Sequence, residues 1–115
     1  MNKVKIVGGH RLCGELDIQG AKNSVLPILA AAFLAPGVSV IHNCPDIADV
    51  RTTLEILETL GCPTTREGRD VTVDATAPSS AEIPDRLMRR LRSSVVFLGA
   101  VLARLGEAHL SYPGG

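Results

Sequence analysis

The chain has 115 residues, and its 12 lysines and arginines balance its 12 aspartates and glutamates, so its formal net charge is zero. With 45% apolar and 21% charged residues it has the composition of a globular protein, and it is long enough for one domain with a core. The lack of net basic charge argues against a general nucleic-acid or membrane-surface role, and the few aromatic residues offer no platform for stacking bases.

The three cysteines, Cys13, Cys44 and Cys62, have neither an even count nor the spacing of metal ligands. This usage favours small apolar residues in a reducing compartment over a disulfide framework. The longest apolar run, residues 25–35, is too short to cross a bilayer, and no charged-then-apolar leader opens the chain. We therefore expect a cytoplasmic protein that binds neither nucleic acid nor a membrane.

The first third of the chain predicts a hairpin followed by a buried helix. Apolar and polar side chains alternate on either side of a glycine pair, which predicts a β-hairpin over residues 1–20. An apolar helix is predicted over about residues 21–35, with Pro27 tolerated because it lies in the first turn. The helix is apolar nearly all round, so we expect it to be buried on most faces.

The middle of the chain predicts a strand, an amphipathic helix and a second hairpin. Residues 38–43 form a short apolar strand pattern. Asp46 is placed to cap the following helix, which Gly61 ends. Residues 64–74 alternate around a Glu-Gly-Arg turn and predict the hairpin.

The last third predicts two helices and a strand. One helix is expected to begin at Pro84, and another begins at Arg92 and ends at Gly106. Residues 108–112 then predict a strand, and residues 113–115 a turn or loop. This succession of strands and helices indicates the α/β or α+β class.

The chain resembles itself at an offset of 70 residues. Lys-Asn-Ser-Val at residues 22–25 and Arg-Ser-Ser-Val at residues 92–95 each precede an apolar helix, a glycine, a short strand and a proline. The pattern indicates repeated small β/α units. The alternative is a chance similarity between two apolar helices.

The two repeated helix starts predict an anion site. A helix N-terminus presents free backbone N–H groups and a partial positive charge. Lys22 adds a full charge, Asn23 a polar side chain, and Arg92 a planar fork suited to phosphate or carboxylate. We expect a small phosphorylated or carboxylated ligand, although a solvated surface base is the competing interpretation of Lys22.

Residues 20–31, Gly-Ala-Lys-Asn-Ser-Val-Leu-Pro-Ile-Leu-Ala-Ala, are very similar to the opening motif of UDP-N-acetylglucosamine enolpyruvyl transferases. Residues 43–50, 88–99 and 103–115 resemble further segments of that family in the same order, so the resemblance covers the whole chain. The related shikimate-pathway synthase resembles it less, because its motif has Ser-Lys-Ser where this chain has Ala-Lys-Asn.

The resemblance implies transfer of the enolpyruvyl group of phosphoenolpyruvate to UDP-N-acetylglucosamine, the first committed step of peptidoglycan synthesis. It therefore implies a role in cell-wall biogenesis, cell shape and cell division. By resemblance, Lys22 contacts phosphoenolpyruvate, Asn23 lies between the two substrates, and Arg92 positions the nucleotide sugar. No metal or organic cofactor is expected.

Members of the family are much longer and have two similar domains. Each domain is an inside-out barrel of three small α/β units, so this chain would supply the opening hairpin and about one and a half units. Residues 1–20 are then expected in the second domain, and residues 21–115 in an incomplete first domain.

The resemblance places the general acid, a Cys or an Asp, just after Gly115. No catalytic residue is therefore expected in this chain, and its three cysteines do not match that position. The 115 residues alone are expected to be inactive and to self-associate through apolar helix faces left uncovered. The alternatives are a non-catalytic binding or interaction module derived from such an enzyme, and another enolpyruvyl transferase such as the shikimate-pathway synthase.

Overall fold

Helices and a small antiparallel sheet share one core in the computed structural model, which describes residues 2–112 and, of Ser93, the backbone alone. The elements run in the order α1 (Lys22–Leu34), β1 (Val38–Ile41), α2 (Ala48–Thr59), β2 (Thr64–Glu67), β3 (Asp70–Asp74), α3 (Asp85–Met88) and α4 (Val96–Leu105). A short 3-10 turn over Arg92–Val95 leads into α4. The mixed content confirms the predicted class.

The sheet has the order β1-β3-β2, and both strand pairs are antiparallel. In the central strand β3, Val71 and Val73 are fully buried while the residues between them are partly exposed. This alternation turns one face of the sheet towards the helices. The predicted hairpin over residues 64–74 is confirmed, and Gly68 at its turn has a φ of 60°, in the left-handed region.

Helix α1 lies against both α2 and α4. Its Leu29 and Phe33 are completely buried, as is Val101 of α4. One face of α1 is nevertheless open, since Ile28 is 50% exposed, so the expected burial on most faces is only partly observed. No helix within residues 2–112 has both the length and the apolar character needed to cross a membrane.

The hairpin predicted over residues 1–20 is absent, because residues 2–20 contain no strand. The five apolar side chains that alternate along this segment are between 77% and 93% exposed: Val4, Ile6, Leu12, Leu16 and Ile18. A two-stranded hairpin is marginal in water unless its apolar face is covered. No other described element covers this face, so the alternating pattern has nothing to pack against.

Two details of the helix starts also differ from the predictions. Asp46 does not cap α2, because the N-cap position is Ile47 and the Asp46 carboxylate accepts a 2.8 Å hydrogen bond from Arg51 Nε instead. That bond lowers the pKa of Asp46. Pro27 is the sixth residue of α1, beyond its first turn, so the helix lacks the N–H that would bond the carbonyl of Asn23.

The strand predicted over residues 108–112 is reduced to a single parallel bridge between His109 and Glu82. His109 N donates to the carbonyl of Ala81 at 2.8 Å, and Ile83 N donates to the carbonyl of His109 at 3.0 Å. The ladder ends after these two bonds because the chain turns into α3 at residues 84–85. The turn predicted over residues 113–115 lies outside the described residues.

Arg104 ties the end of α4 to the end of α1. Its Nη1 donates to the carbonyl of Phe33 at 2.7 Å, and its guanidinium carbon lies 5.5 Å from the centre of the Phe33 ring. The carbonyls of the last helical turn have no partner within their own helix, so this donor satisfies a group at the end of α1.

Replacing Arg104 by Met keeps the apolar stem and removes the donor. We expect Arg104→Met to lower the free energy of unfolding by about 1–3 kcal/mol, because a partly buried carbonyl loses its partner. Urea denaturation measures the change. Arg89→Met is the matched control, since Arg89 is exposed and pairs with Asp85 on the surface, and we expect it to change stability by less than about 1 kcal/mol. Equal effects of the two substitutions would contradict the role of Arg104.

Candidate functional site

An open cleft of about 390 Å³ lies at the start of α1, where the turn before α4 approaches it. The three residues predicted to bind substrate, Lys22, Asn23 and Arg92, all line this cleft. The remaining lining residues are Leu26, Pro27, Asp49, Leu91 and Val95. The fold therefore brings together the two basic residues that the repeat places 70 positions apart.

The start of α1 suits an anion because its N–H groups are uncapped. The N-cap residue, Ala21, is extended and offers no side-chain cap. The hydroxyl of Ser24 donates to the carbonyl of Ala21 at 3.1 Å rather than accepting from the first turn. The N–H groups of the first turn are thus left to solvent or a ligand, and they add to the charge of Lys22.

Gly20 sets where α1 begins. A Cβ at this position would overlap the carbonyl oxygen of Asn43 and approach Pro45 Cδ to 3.4 Å. Only glycine allows the backbone before Lys22 to lie this close to the loop that follows β1. The sequence marks Gly20 as the end of the predicted hairpin and as the first residue of the family motif. It does not indicate the contact with Asn43, because a close approach between distant segments has no local signal.

The second helix start is built differently from the first. Arg92 opens a 3-10 turn instead of an α-helix, and its side chain is exposed. Ser94 is completely buried, and its hydroxyl lies 2.6 Å from the carbonyl of Leu91 and 3.2 Å from that of Met88. Ser94 therefore braces the turn that carries Arg92 and does not face a ligand.

Asp49 is a cleft residue that is not among the site residues predicted from the sequence. It lies in the first turn of α2, and its Oδ2 is 3.1 Å from Lys22 Nζ. The Lys22 side chain is 51% exposed and that of Asp49 is 32% exposed, so the pair is partly shielded from water. Asp49 lies within residues 43–50, one of the segments that resemble the family, and this was the available sequence signal.

The described cysteines lie away from the cleft. Cys44 and Cys62 are buried free thiols, and burial raises the pKa of each; Cys13 is an exposed free thiol. None of the three is among the residues that line the cleft. The position expected to carry the general acid follows Gly115 and so lies beyond the described residues.

The architecture matches that of a solved enolpyruvyl transferase. NikO from Streptomyces tendae aligns with a TM-score of 0.81 and 37% sequence identity, covering 88% of this chain and 24% of that one. The fold is therefore that of part of an enolpyruvyl transferase.

A sequence profile of the EPSP synthase (3-phosphoshikimate 1-carboxyvinyltransferase) family matches residues 6–115, and the chain belongs to this family. Among similar proteins, UDP-N-acetylglucosamine 1-carboxyvinyltransferase 2 of Caldanaerobacter subterraneus is 56% identical over 115 residues. UDP-N-acetylglucosamine 1-carboxyvinyltransferase of Solidesulfovibrio magneticus is 45% identical over the same length. The chain spans 28% of the length of each relative. The predicted family resemblance is confirmed.

Proposed function

We propose that the protein containing this chain transfers the enolpyruvyl group of phosphoenolpyruvate to UDP-N-acetylglucosamine. The observation that carries the proposal is the cleft, which is lined both by Lys22 at the start of α1 and by Arg92 in the turn before α4. Support for this acceptor comes from the 56% identity to a protein named for the same transfer. The reaction would belong to peptidoglycan synthesis in the cytoplasm, and through it to cell shape and division.

Within this proposal each cleft residue has a distinct task. Lys22 binds phosphoenolpyruvate, because its ammonium group stands beside the uncapped first turn of α1 and both favour an anion. Arg92 holds the nucleotide sugar, whose diphosphate suits the planar guanidinium. Asn23, one residue after Lys22, lies at the boundary and can both donate and accept hydrogen bonds.

The positive groups of the cleft also assist the chemistry. The transfer joins a sugar oxygen to the enolpyruvyl carbon and releases inorganic phosphate, so negative charge grows on the departing group. Fixed donors aimed at that group stabilise it more strongly than water does, because they need no reorganisation. We place the proton donor in the loop beyond Gly115, and we expect the 115 residues alone to be inactive.

Exposed apolar side chains support the proposed division into two domains. Residues 2–20 expose their alternating apolar side chains, which suits a segment that pairs with a second domain in the longer protein. Residues 21–115 form the start of the first domain, and apolar side chains of its helices, such as Ile28 and Leu98, are exposed. Self-association of the isolated fragment through these faces remains our expectation.

The proposal is tested with the full-length protein by measuring phosphate release from phosphoenolpyruvate. We expect release that depends on UDP-N-acetylglucosamine. Release that depends instead on shikimate 3-phosphate would establish the alternative reaction, which the name of the matching family keeps open. No release with either acceptor would favour a non-catalytic module.

Arg92→Ala tests the assignment within the cleft. We expect the affinity for UDP-N-acetylglucosamine, measured by calorimetry, to fall about tenfold to a hundredfold, because a charge-assisted contact to the diphosphate is lost. Arg89→Ala is the matched control, since Arg89 lies nearby on the surface and outside the cleft lining. An unchanged affinity for the nucleotide sugar in Arg92→Ala would remove this residue from the site.

A further inference from the structure

The cleft proposed to bind an anion contains an acidic residue. Asp49 lines it together with Lys22 and Arg92, and its carboxylate faces the Lys22 ammonium at 3.1 Å. A carboxylate this close to the phosphate site repels an anionic ligand. As a stabilising surface pair it would contribute little, because exposed ion pairs are weak. Neither stability nor direct attraction of the ligand accounts for a carboxylate at this position, so we looked to its effect on Lys22 for a role in binding.

The carboxylate of Asp49 is held on a rigid support. The hydroxyl of Thr53, a buried residue one turn later in α2, donates to the backbone carbonyl of Asp49 at 2.8 Å. Val50, the next residue along the chain, is completely buried in the core. The first turn of α2 is thus held in place by buried neighbours, and the backbone that carries the Asp49 carboxylate is fixed.

The loop that leads into α2 is anchored as well. Arg66 reaches across from β2 and donates to the carbonyl of Cys44 at 2.9 Å and to that of Pro45 at 3.0 Å. In the Lys22–Asp49 pair, the flexible four-carbon stem of lysine is therefore the mobile partner.

We propose that Asp49 is a positioning residue that holds the Lys22 ammonium in place for phosphoenolpyruvate. The proposal rests on the proposed function. Without the carboxylate, the lysine stem would sample rotamers that point its charge into solvent, and that freedom would be lost again on binding. The positioning role requires the gain from a correctly placed ammonium to exceed the repulsion between the carboxylate and the ligand.

The positioning role and simple charge repulsion predict opposite results for Asp49→Asn. Removing a negative charge from the cleft should tighten anion binding if the carboxylate only repels the ligand. If it positions Lys22, the same substitution should weaken binding, since the asparagine side chain carries no charge to hold the ammonium. The sign of the change in affinity distinguishes the two.

The test uses the full-length protein and steady-state kinetics with both substrates. We expect Asp49→Asn to raise KM for phosphoenolpyruvate about tenfold, the size typical of coupling between contacting charged residues, with a smaller change in kcat. Asp49→Glu should recover part of the loss, because it restores a carboxylate. Asp46→Asn is the matched control, with the same chemical change three residues earlier on a carboxylate that pairs with Arg51, and it should leave KM unchanged.

A double substitution tests whether Asp49 acts through Lys22. In a background of Lys22→Ala, Asp49→Asn should have little further effect on phosphoenolpyruvate affinity, because the residue it positions is gone. A lowered KM in Asp49→Asn, or equal losses in both backgrounds, would overturn the positioning role. If the unsubstituted protein shows no turnover, the proposed function fails, and calorimetric binding of phosphoenolpyruvate to the same variants still decides the role of Asp49.

Discussion

Replacing Lys22 by Ala is expected to lower kcat/KM for phosphoenolpyruvate by about a hundredfold to a thousandfold, the range for removing one preorganised donor from a charged transition state. The substitution removes the ammonium group from the cleft and leaves the uncapped first turn of α1 in place. Because alanine favours a helix, the fold should be preserved. Kinetics in the full-length protein, with circular dichroism as the check on folding, measure the effect.

Two controls define what Lys22 contributes. Lys3→Ala removes the same charge from an exposed position in residues 2–20 and is expected to have no effect on kcat/KM. Lys22→Arg keeps the charge but exchanges a compact ammonium for a planar fork, and we expect it to recover only part of the activity. Unchanged phosphoenolpyruvate affinity in Lys22→Ala would show that Lys22 is a solvated surface base.

Gly20→Ala is expected to impair both stability and activity, although it adds only one methyl group. The new Cβ overlaps the carbonyl oxygen of Asn43, which belongs to the backbone and cannot rotate away. Either α1 or the loop after β1 must shift, at a cost of about 1–3 kcal/mol. Because Lys22 is two residues away, its misplacement should lower kcat/KM by about tenfold or more. Thermal unfolding and kinetics on the same variant measure the two effects.

Gly99→Ala is the matched control for this prediction. Gly99 lies inside α4, and a Cβ there would meet nothing within 4 Å. Alanine is the better helix former, so this substitution should raise stability by about 0.5–1 kcal/mol and leave activity unchanged. If the two glycine variants were equally stable and active, the close contact at Gly20 would have no part in placing Lys22.

Local sequence patterns predicted two features of the chain. These are the turns that carry Lys22 and Arg92 at the starts of helices, and the strands in the middle of the chain. Apolar periodicity marks α1 and α2 to within about two residues, because each helix must bury a stripe of its own side chains. The end of α4 is also as predicted, but its α-helical part begins at Val96, after the 3-10 turn that Arg92 opens. Alternation marks the hairpin of β2 and β3 for the same reason. The candidate site residues were predictable because a repeated pattern placed a base at each helix start.

Predictions from local sequence patterns were wrong where the structure of a segment depends on what it packs against. Residues 2–20 alternate like a hairpin, yet they form no strand, because nothing in the described chain covers their apolar face. Asp46 has the right side chain for an N-cap, but its carboxylate accepts from Arg51 Nε instead. The strand predicted over residues 108–112 shortens to one bridge beside Pro84.

The sequence by itself determined the family and the order of the main helices and strands. It also singled out Lys22 and Arg92 as the basic residues of the candidate site. All of these depend on residue type and spacing along the chain. Only the tertiary structure decided that Asp49 faces Lys22, that Gly20 must stay small against Asn43, and that both bases line one cleft. These contacts join segments more than twenty residues apart. They arise from the way α1 packs against its neighbours, which no single stretch of sequence specifies.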